Sequence, residues 1–218
     1  MKTTDILAPE KTGQQEKKAV QYVYSFKDGD GKNKQLLGGK GANLCEMTQI
    51  GLNVPPGFVI TTEACLHYLA TPDRNLPKDL MEVVRKQIKD IEKATGKIFG
   101  DPENPLLVSV RSGSAMSMPG MMDTILNLGL NKKTLLGLIK QTNNERFGYD
   151  AYRRFIQLFG KVALGVPDEK FDKHFEEVKK KAGVKVDIGL SAADLKGISA
   201  RFLGVGNDTL GKPFPEDV

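Results

Sequence analysis

The sequence predicts an α/β (α+β) protein with two parts, an α/β part over residues 19–130 and a helical part over 131–203. Two observations lead to this prediction. Short strand-like runs of alternating or continuous apolar residues occur only before residue 130. From about Lys132 onward, apolar residues recur at helical spacing in one long segment after another. A chain of 218 residues is long enough to bury one large core or two small ones.

The first part alternates predicted strands and helices. Tyr22 to Phe26 alternates apolar and polar residues and predicts a strand that closes in the Asp28–Gly31 turn. A second, buried strand is predicted at Phe58–Ile60, after the rigid turn at 54–57. Leu106 to Val110 is the strongest strand pattern. Helices are predicted at about 41–51, from a Thr61 cap to about Leu69, and at 77–95, where Gly96 ends the last of them.

The second part predicts four helices, at 134–141, 145–164, 167–182 and 191–203. Ser191 and Asp194 have the spacing of a capping box, with Asp in place of Glu or Gln. Residues 204–218 are rich in glycine and proline and predict a linker, an ending that suggests a fragment. Residues 1–18 are polar and lack an apolar signal core, so they predict a disordered leader.

Composition is that of an ordinary globular protein, with 39% hydrophobic and 27% charged residues. The net charge of +5 suits a phosphate or nucleotide ligand. Basic residues alternate with acids, and tryptophan is absent, so nucleic acid is not an expected partner. No apolar run approaches the roughly 18 residues of a membrane span. These features predict an intracellular, most simply cytoplasmic, protein, with an organelle left open.

The cysteines and histidines do not form a predicted metal cluster. Cys45 and Cys65 each fall in a predicted helix, and both are expected to be reduced, buried, small apolar residues. His67 and His174 stand alone in the sequence, so neither is expected to bind a metal or take part in catalysis.

A glycine-rich segment surrounds Lys40 with Gly38, Gly39 and Gly41 and continues into a helical pattern. Glycines let the main chain approach a ligand closely, and the first N–H groups of a helix attract anions. Lys40 is therefore a candidate phosphate ligand, although a turn with a solvated lysine has the same pattern. A Walker loop is disfavoured, because Gly41 follows the lysine where a hydroxyl should be.

Arg111, Ser112 and Gly113 follow the strongest predicted strand. The tips of strands in α/β sheets are places where loops bind ligands. A guanidinium group binds two phosphate oxygens at once, and the Ser112 hydroxyl and the Gly113 amide add neutral donors. The alternative is a solvated or salt-bridged arginine at a strand end.

A methionine-rich loop comes next, with four methionines between residues 116 and 122 and Gly120 among them. Methionine adapts its shape and contacts aromatic rings well, so the loop suits a cover over an adenine or its phosphates. The same methionines suit a plug beneath a tight turn, and composition leaves both interpretations open.

Several of these segments together resemble the N-terminal nucleotide-binding domain of the pyruvate, phosphate dikinase family. The related phosphoenolpyruvate synthases share the first motifs, but the methionine-rich segment is similar to the dikinases specifically. The resemblance extends over about residues 20–218. Its motifs are Leu37–Leu44, Val54–Phe58, Thr61–Ala64, Val108–Gly113, Ser117–Thr124, Leu126–Asn131, Arg146–Phe155 and Gly211–Pro215.

The resemblance implies an ATP-grasp-like first lobe with a mixed sheet and an inserted helical subdomain. In this family ATP phosphorylates a histidine on a separate domain, and ATP, phosphate and pyruvate become AMP, pyrophosphate and phosphoenolpyruvate. Lys40 and Arg111 would be the catalytic, phosphate-binding residues. Gly120 would approach the nucleotide beside Ser112 and Gly113.

The resemblance also implies parts that this chain lacks. The Mg²⁺ ligands and the phosphohistidine and barrel domains are expected elsewhere, in a full enzyme that forms a homo-oligomer. Arg153 and Arg154 would dock the phosphohistidine domain, or else belong to a solvated helix face. The chain alone is expected to be inactive. The alternative is a truncated dikinase-like module with a binding or structural role.

Overall fold

The computed structural model of the chain describes residues 20–113 and 123–215. Within these ranges it has seven α-helices and three two-stranded sheets, so the predicted mixture of helices and strands is confirmed. The leader at 1–18 and the methionine-rich loop lie outside the described residues. The strands are β1 (Val23–Ser25), β2 (Phe58–Ile60), β3 (Ile98–Phe99), β4 (Pro105–Leu106), β5 (Val108–Arg111) and β6 (Thr124–Leu128). The helices are α1 (Lys34–Gln49), α2 (Thr62–Ala70), α3 (Leu80–Thr95), α4 (Lys132–Thr142), α5 (Glu145–Val162), α6 (Asp168–Ala182) and α7 (Ala192–Leu210).

The strands pair two by two. β1 pairs antiparallel with β2, β3 pairs parallel with β4, and β5 pairs antiparallel with β6. The described residues therefore contain three small sheets where one mixed sheet was expected. The predicted strand at 106–110 is divided, because Leu106 pairs with β3 whereas Val108 begins the pairing with β6.

Helix α1 packs on β2 through a small apolar cluster. Its buried residues are Leu37, Ala42 and Cys45, and the half-buried Val59 of β2 packs against them. Helix α3 begins at Leu80, later than expected, because Asp79 adopts a left-handed conformation with φ of 63°. Leu80 joins Val23 and Ala64 in a second cluster.

The largest core lies in the helical part. Helices α5, α6 and α7 surround three fully buried side chains, Ile156, Phe171 and Phe202. The β5–β6 hairpin packs on the same core through Ile125. The arginine end of the hairpin is therefore fixed relative to the helices.

Three expectations about burial or helix length were wrong. Cys65 is exposed, because α2 turns Ala64 inward and leaves the next residue facing solvent. Strand β2 is only half-buried, and its Ile60 is 47% exposed. Helix α7 continues beyond Leu203 to Leu210, since the side chain of Phe214 folds back against Gly206 and covers this last stretch.

Candidate functional site

The structure places Lys40 in the first turn of a helical segment that follows a break in α1. Gly38 has φ of 69° and ψ of 162°, which are not helical values, so the helix is interrupted there and resumes at Gly39. A positive φ is accessible to glycine at little cost, which explains the residue type. Lys40 therefore lies inside the new helical turn and not just before it, as the sequence had suggested. The first N–H groups of such a turn lack helical partners and favour anions.

Contacts on two sides fix the position of this turn. A Cβ built on Gly41 would lie 2.8 Å from Cγ1 and 2.9 Å from Cγ2 of Val59, so α1 can lie this close to β2 only with glycine there. Thr62 Oγ1 donates to the carbonyl of Gln35 at 2.6 Å, which ties the start of α2 to the turn before the break. On the other side, Gln49 Nε2 donates to the carbonyl of Gly29 at 2.7 Å.

Beneath the turn, Cys45 is a buried structural residue. Its relative exposure is 0%, and burial raises the pKa of its thiol, with a smaller contribution from the negative charge of Asp28. The expectation of a buried thiol is confirmed for this cysteine. A protonated, enclosed thiol is a poor nucleophile. Lys40 is therefore the candidate ligand-binding side chain of this segment.

The second candidate group, Arg111, is the last residue of β5, at the strand tip where the sequence predicted it. It pairs with Thr124 of β6 and is exposed. The next residue, Ser112, donates twice to the carbonyl of Asp123, from its amide at 3.1 Å and from its hydroxyl at 3.0 Å. The Ser112 hydroxyl therefore closes the hairpin, and Gly113 beyond it is exposed, with no atom of the described residues near the position that a Cβ would take.

A polar cluster that the sequence analysis missed lies near this hairpin end. Lys161 of α5 pairs with Asp168 at 2.8 Å, and Gln157 donates to the same carboxylate at 2.9 Å. The hydrogen bond to Asp168 is the main cause that raises the pKa of Lys161, and the charge of Asp123 contributes at longer range. Gln157 and Lys161 are four residues apart on one helix face, a signal that could have identified the pair.

The predicted site residues are thus held by different elements. Lys40 rests on the β1–β2 side, and Arg111 extends from the hairpin that packs on the helical core. Gly120 lies outside the described residues. The convergence of Lys40 and Arg111 on one pocket stays a prediction.

The docking role expected for Arg153 was wrong, because its guanidinium is enclosed. Its side chain is 6% exposed and pairs with Asp150 at 2.8 Å and with Asp187 at 3.3 Å. The same guanidinium lies 4.4 Å from the ring centre of Phe175. Arg154, at 51% exposure, stays on the surface and pairs with Asp150 at 3.1 Å.

Two further features bear on ligands. Within residues 20–113 and 123–215, no three His, Cys, Asp or Glu side chains come together as a metal site would require. A groove of about 300 Å³ between α6 and α7 is lined by small residues together with Lys181, Asp194 and Arg201, and neither Lys40 nor Arg111 borders it. In the same part of the chain, none of the helices has the length and apolar content needed to cross a bilayer.

Comparison with known proteins matches one segment of the chain to a family model. Residues 34–73 match the family model described as "Pyruvate phosphate dikinase, AMP/ATP-binding domain". This stretch begins with α1 and contains the Gly38 break, Lys40, β2 and α2.

The relatives that cover more of the chain are pyruvate, phosphate dikinases. The protein of that name from Entamoeba histolytica is 59% identical over 198 residues, which are 91% of this chain and 22% of the relative. The Clostridium symbiosum protein is 46% identical over 91% of this chain and 23% of its own length. The chloroplastic protein 1 from Arabidopsis thaliana is 47% identical over 91% of this chain and 21% of its own length.

The resemblance predicted from the motifs is confirmed: over nine-tenths of its residues the chain is a relative of the pyruvate, phosphate dikinases. It spans about a fifth of the length of these relatives.

Proposed function

We propose that this chain is the N-terminal part of the AMP/ATP-binding domain of a pyruvate, phosphate dikinase, and that Lys40 and Arg111 bind the phosphates of ATP. The observation that carries the proposal is the break at Gly38 followed by Lys40 in a fresh helical turn. This turn lies within the residues that match the AMP/ATP-binding family model.

The two cations have complementary chemistry. The ammonium group of Lys40 is a compact charge on a residue in the first turn of a helical segment, and the N–H groups of such a turn also attract anions, a combination that favours a terminal phosphate. The Arg111 guanidinium can bind two oxygens of one phosphate, and the residue is exposed at its strand tip. Both charges stabilise the negative charge that spreads over the transferred phosphoryl group, which is the main source of catalysis in such reactions.

The remainder of the reaction belongs to a longer protein. We propose an ATP-grasp first lobe in which ATP and inorganic phosphate together yield AMP, pyrophosphate and a phosphohistidine on another domain. The phosphohistidine then transfers its phosphoryl group to pyruvate, which gives phosphoenolpyruvate and the free histidine. When bound, Mg²⁺ would supply positive charge that neutralises the phosphates of the nucleotide. Its protein ligands are proposed to come from segments outside the described residues.

A chimera tests the assignment of the two cations. In it, this chain replaces the matching 198-residue stretch of the Entamoeba histolytica relative, where 59% identity favours correct packing. Loss of one charge-assisted hydrogen bond costs about 1.5–3 kcal/mol, which raises the Kd for ATP roughly 10- to 150-fold. We expect this from Lys40→Ala and from Arg111→Ala, measured by titration calorimetry.

Two exposed cationic residues of the same types, one of them in the same helix as Lys40, serve as matched controls. Lys34 is an exposed lysine in α1 before the break, and Arg85 is an exposed arginine on α3. Replacement of either by alanine should leave the Kd for ATP within about twofold. Equal losses in the controls and the site variants would refute a specific phosphate site.

The isolated chain is proposed to be inactive and to bind ATP weakly, because most of the enzyme lies outside it. Pyruvate-dependent AMP formation should be at background for the chain and clear for the chimera. A chain that is stable, inactive and bound to a partner in its native source would favour the alternative of a dikinase-like binding module. Turnover by the chain alone would refute the proposed inactivity.

A further inference from the structure

The most exposed large hydrophobic side chain among the described residues lies on a small turn between α6 and α7. Asp187–Gly189 forms one turn of 3₁₀-helix, and Ile188 in its centre is 78% exposed. Val186, next to the turn, is 60% exposed. Beyond the turn, Leu190 is 1% exposed and anchors the segment in the helical core.

This turn is held by three cationic side chains. Arg146 donates from Nη2 to the carbonyl of Asp187 at 2.9 Å and from Nε to that of Leu190 at 2.8 Å. The carboxylate of Asp187 pairs with Arg153 at 3.3 Å and with Lys179 at 3.4 Å. Burial of an arginine side chain to 6% exposure is costly. Here the buried guanidinium of Arg153 binds the carboxylate of Asp187 on the protein side of the turn.

The result is a rigid support for two exposed branched side chains. Four polar contacts fix a turn whose aliphatic side chains, Val186 and Ile188, face solvent. Such an arrangement indicates a role for these side chains outside the core of this chain. Anchors at protein interfaces have this form, a preorganised side chain that fills a pocket of the partner, because little conformational entropy is lost on binding.

Charge around the turn indicates the nature of the partner. Lys180, Lys181 and Lys185 are exposed, and none of the ion pairs seen among the described residues includes them. A partner surface should therefore offer an apolar pocket with carboxylates at its rim. An anionic membrane is less suitable, because Glu176 and Glu177 on the adjoining helix are 66% and 50% exposed and would be repelled.

We propose that the segment Val186–Ile188, which we call the anchor turn, docks into an apolar pocket rimmed by carboxylates on the part of the dikinase polypeptide that lies outside this chain. This inference rests on the proposed function. Relatives of this chain are four to five times as long, and the additional part of such a polypeptide is the proposed docking partner. Arg146, Arg153 and Lys179 then act as positioning residues for the anchor turn.

The chimera tests the anchor turn through Ile188→Ser. We expect about a tenfold lower kcat for AMP formation, with the Kd for ATP unchanged, because docking and not nucleotide binding is weakened. Ile188→Val should retain most of the rate, whereas Lys185→Glu should lower it. Leu136→Ser is the matched control, since Leu136 is 63% exposed on α4 and has no contact with this segment among those described. It should change nothing.

Hydrogen exchange gives a readout that does not depend on activity. Amides 186–189 should exchange at least fivefold more slowly in the chimera than in the isolated chain, and Ile188→Ser should abolish the difference. Equal exchange in both proteins, or a normal kcat for Ile188→Ser, would overturn the docking proposal. Ile188-dependent sedimentation with phosphatidylserine vesicles would overturn it in favour of a membrane contact. If Lys40→Ala leaves the Kd for ATP unchanged, the proposed function fails instead, whatever Ile188 does.

Discussion

Replacement of Gly41 by alanine probes the packing that positions Lys40. In an unobstructed helix this change stabilises the fold by about 1 kcal/mol, because alanine has the higher helix propensity. Here the new Cβ would lie 2.8 Å and 2.9 Å from the two methyl groups of Val59. Overpacking of this kind costs about 1–3 kcal/mol. The expected net effect on the free energy of unfolding therefore lies between about zero and a loss of 2 kcal/mol.

Two further variants isolate the clash. Apart from its chain neighbours and the backbone of its own helix, Gly197 of α7 has no described heavy atom within 4 Å of the position its Cβ would take. Gly197→Ala should therefore show the full stabilisation of about 1 kcal/mol. In a Val59→Ala background the obstructing methyl groups are gone, so Gly41→Ala should there become stabilising. The sign of the Gly41→Ala effect should thus reverse between the two backgrounds.

Urea denaturation followed by circular dichroism measures these free energies on the chain itself. ATP titration of the chimera adds a functional reading, because displacement of α1 from β2 should raise the Kd for ATP. If Gly41→Ala with Val59 intact stabilises the chain as much as Gly197→Ala does, the packing argument is refuted.

Three more predictions concern stability and reactivity. A thiol reagent should label one cysteine of the native chain, and Cys65→Ser should abolish this labelling, because Cys45 is enclosed and burial raises the pKa of its thiol; fast labelling of two thiols would contradict this. Arg153→Ala should lower the free energy of unfolding by about 3–5 kcal/mol, whereas the exposed Arg154→Ala should cost at most about 1 kcal/mol, and similar losses in urea denaturation would be evidence against a buried ion pair. The hydrogen bond from Lys161 lowers the pKa of Asp168, so the stability contributed by this carboxylate is present at neutral pH and lost as the pH falls through its folded-state pKa, below 3.8. Asp168→Asn should therefore cost about 0.2–1 kcal/mol at pH 7 and progressively less as the pH falls below 3.8, and a cost independent of pH would contradict the linkage.

Local signals in the sequence predicted most of the elements. Thr61 caps α2 as its hydroxyl and position suggested, and Ser191 and Asp194 form the predicted capping box at the start of α7. Gly96 ends α3 in the left-handed conformation that glycine favours. Each of these features depends on residues within one helical turn, so sequence spacing is sufficient to identify it.

Features that depend on distant contacts were not predictable in this way. The burial of Arg153 requires Asp187, which is 34 residues away and joins it only when α5 and α6 pack together. The extension of α7 to Leu210 depends on Phe214 folding back onto Gly206, and propensity alone places a stop at the glycines. The exposure of Cys65 reflects which face of α2 meets β1, a choice made by tertiary packing.

In the candidate site, too, local features were predictable and features that depend on distant contacts were not. Glycine spacing indicated Lys40, and a strand ending indicated Arg111, but the kink at Gly38 and the close approach of Gly41 to Val59 appear only in three dimensions.

A crystal structure of the chimera with ATP tests the central claim most directly. The account predicts that Lys40 Nζ and the Arg111 guanidinium both lie within about 2.7–3.2 Å of phosphate oxygens of one nucleotide. A bound nucleotide whose phosphates contact neither side chain, or only one of them, would contradict it.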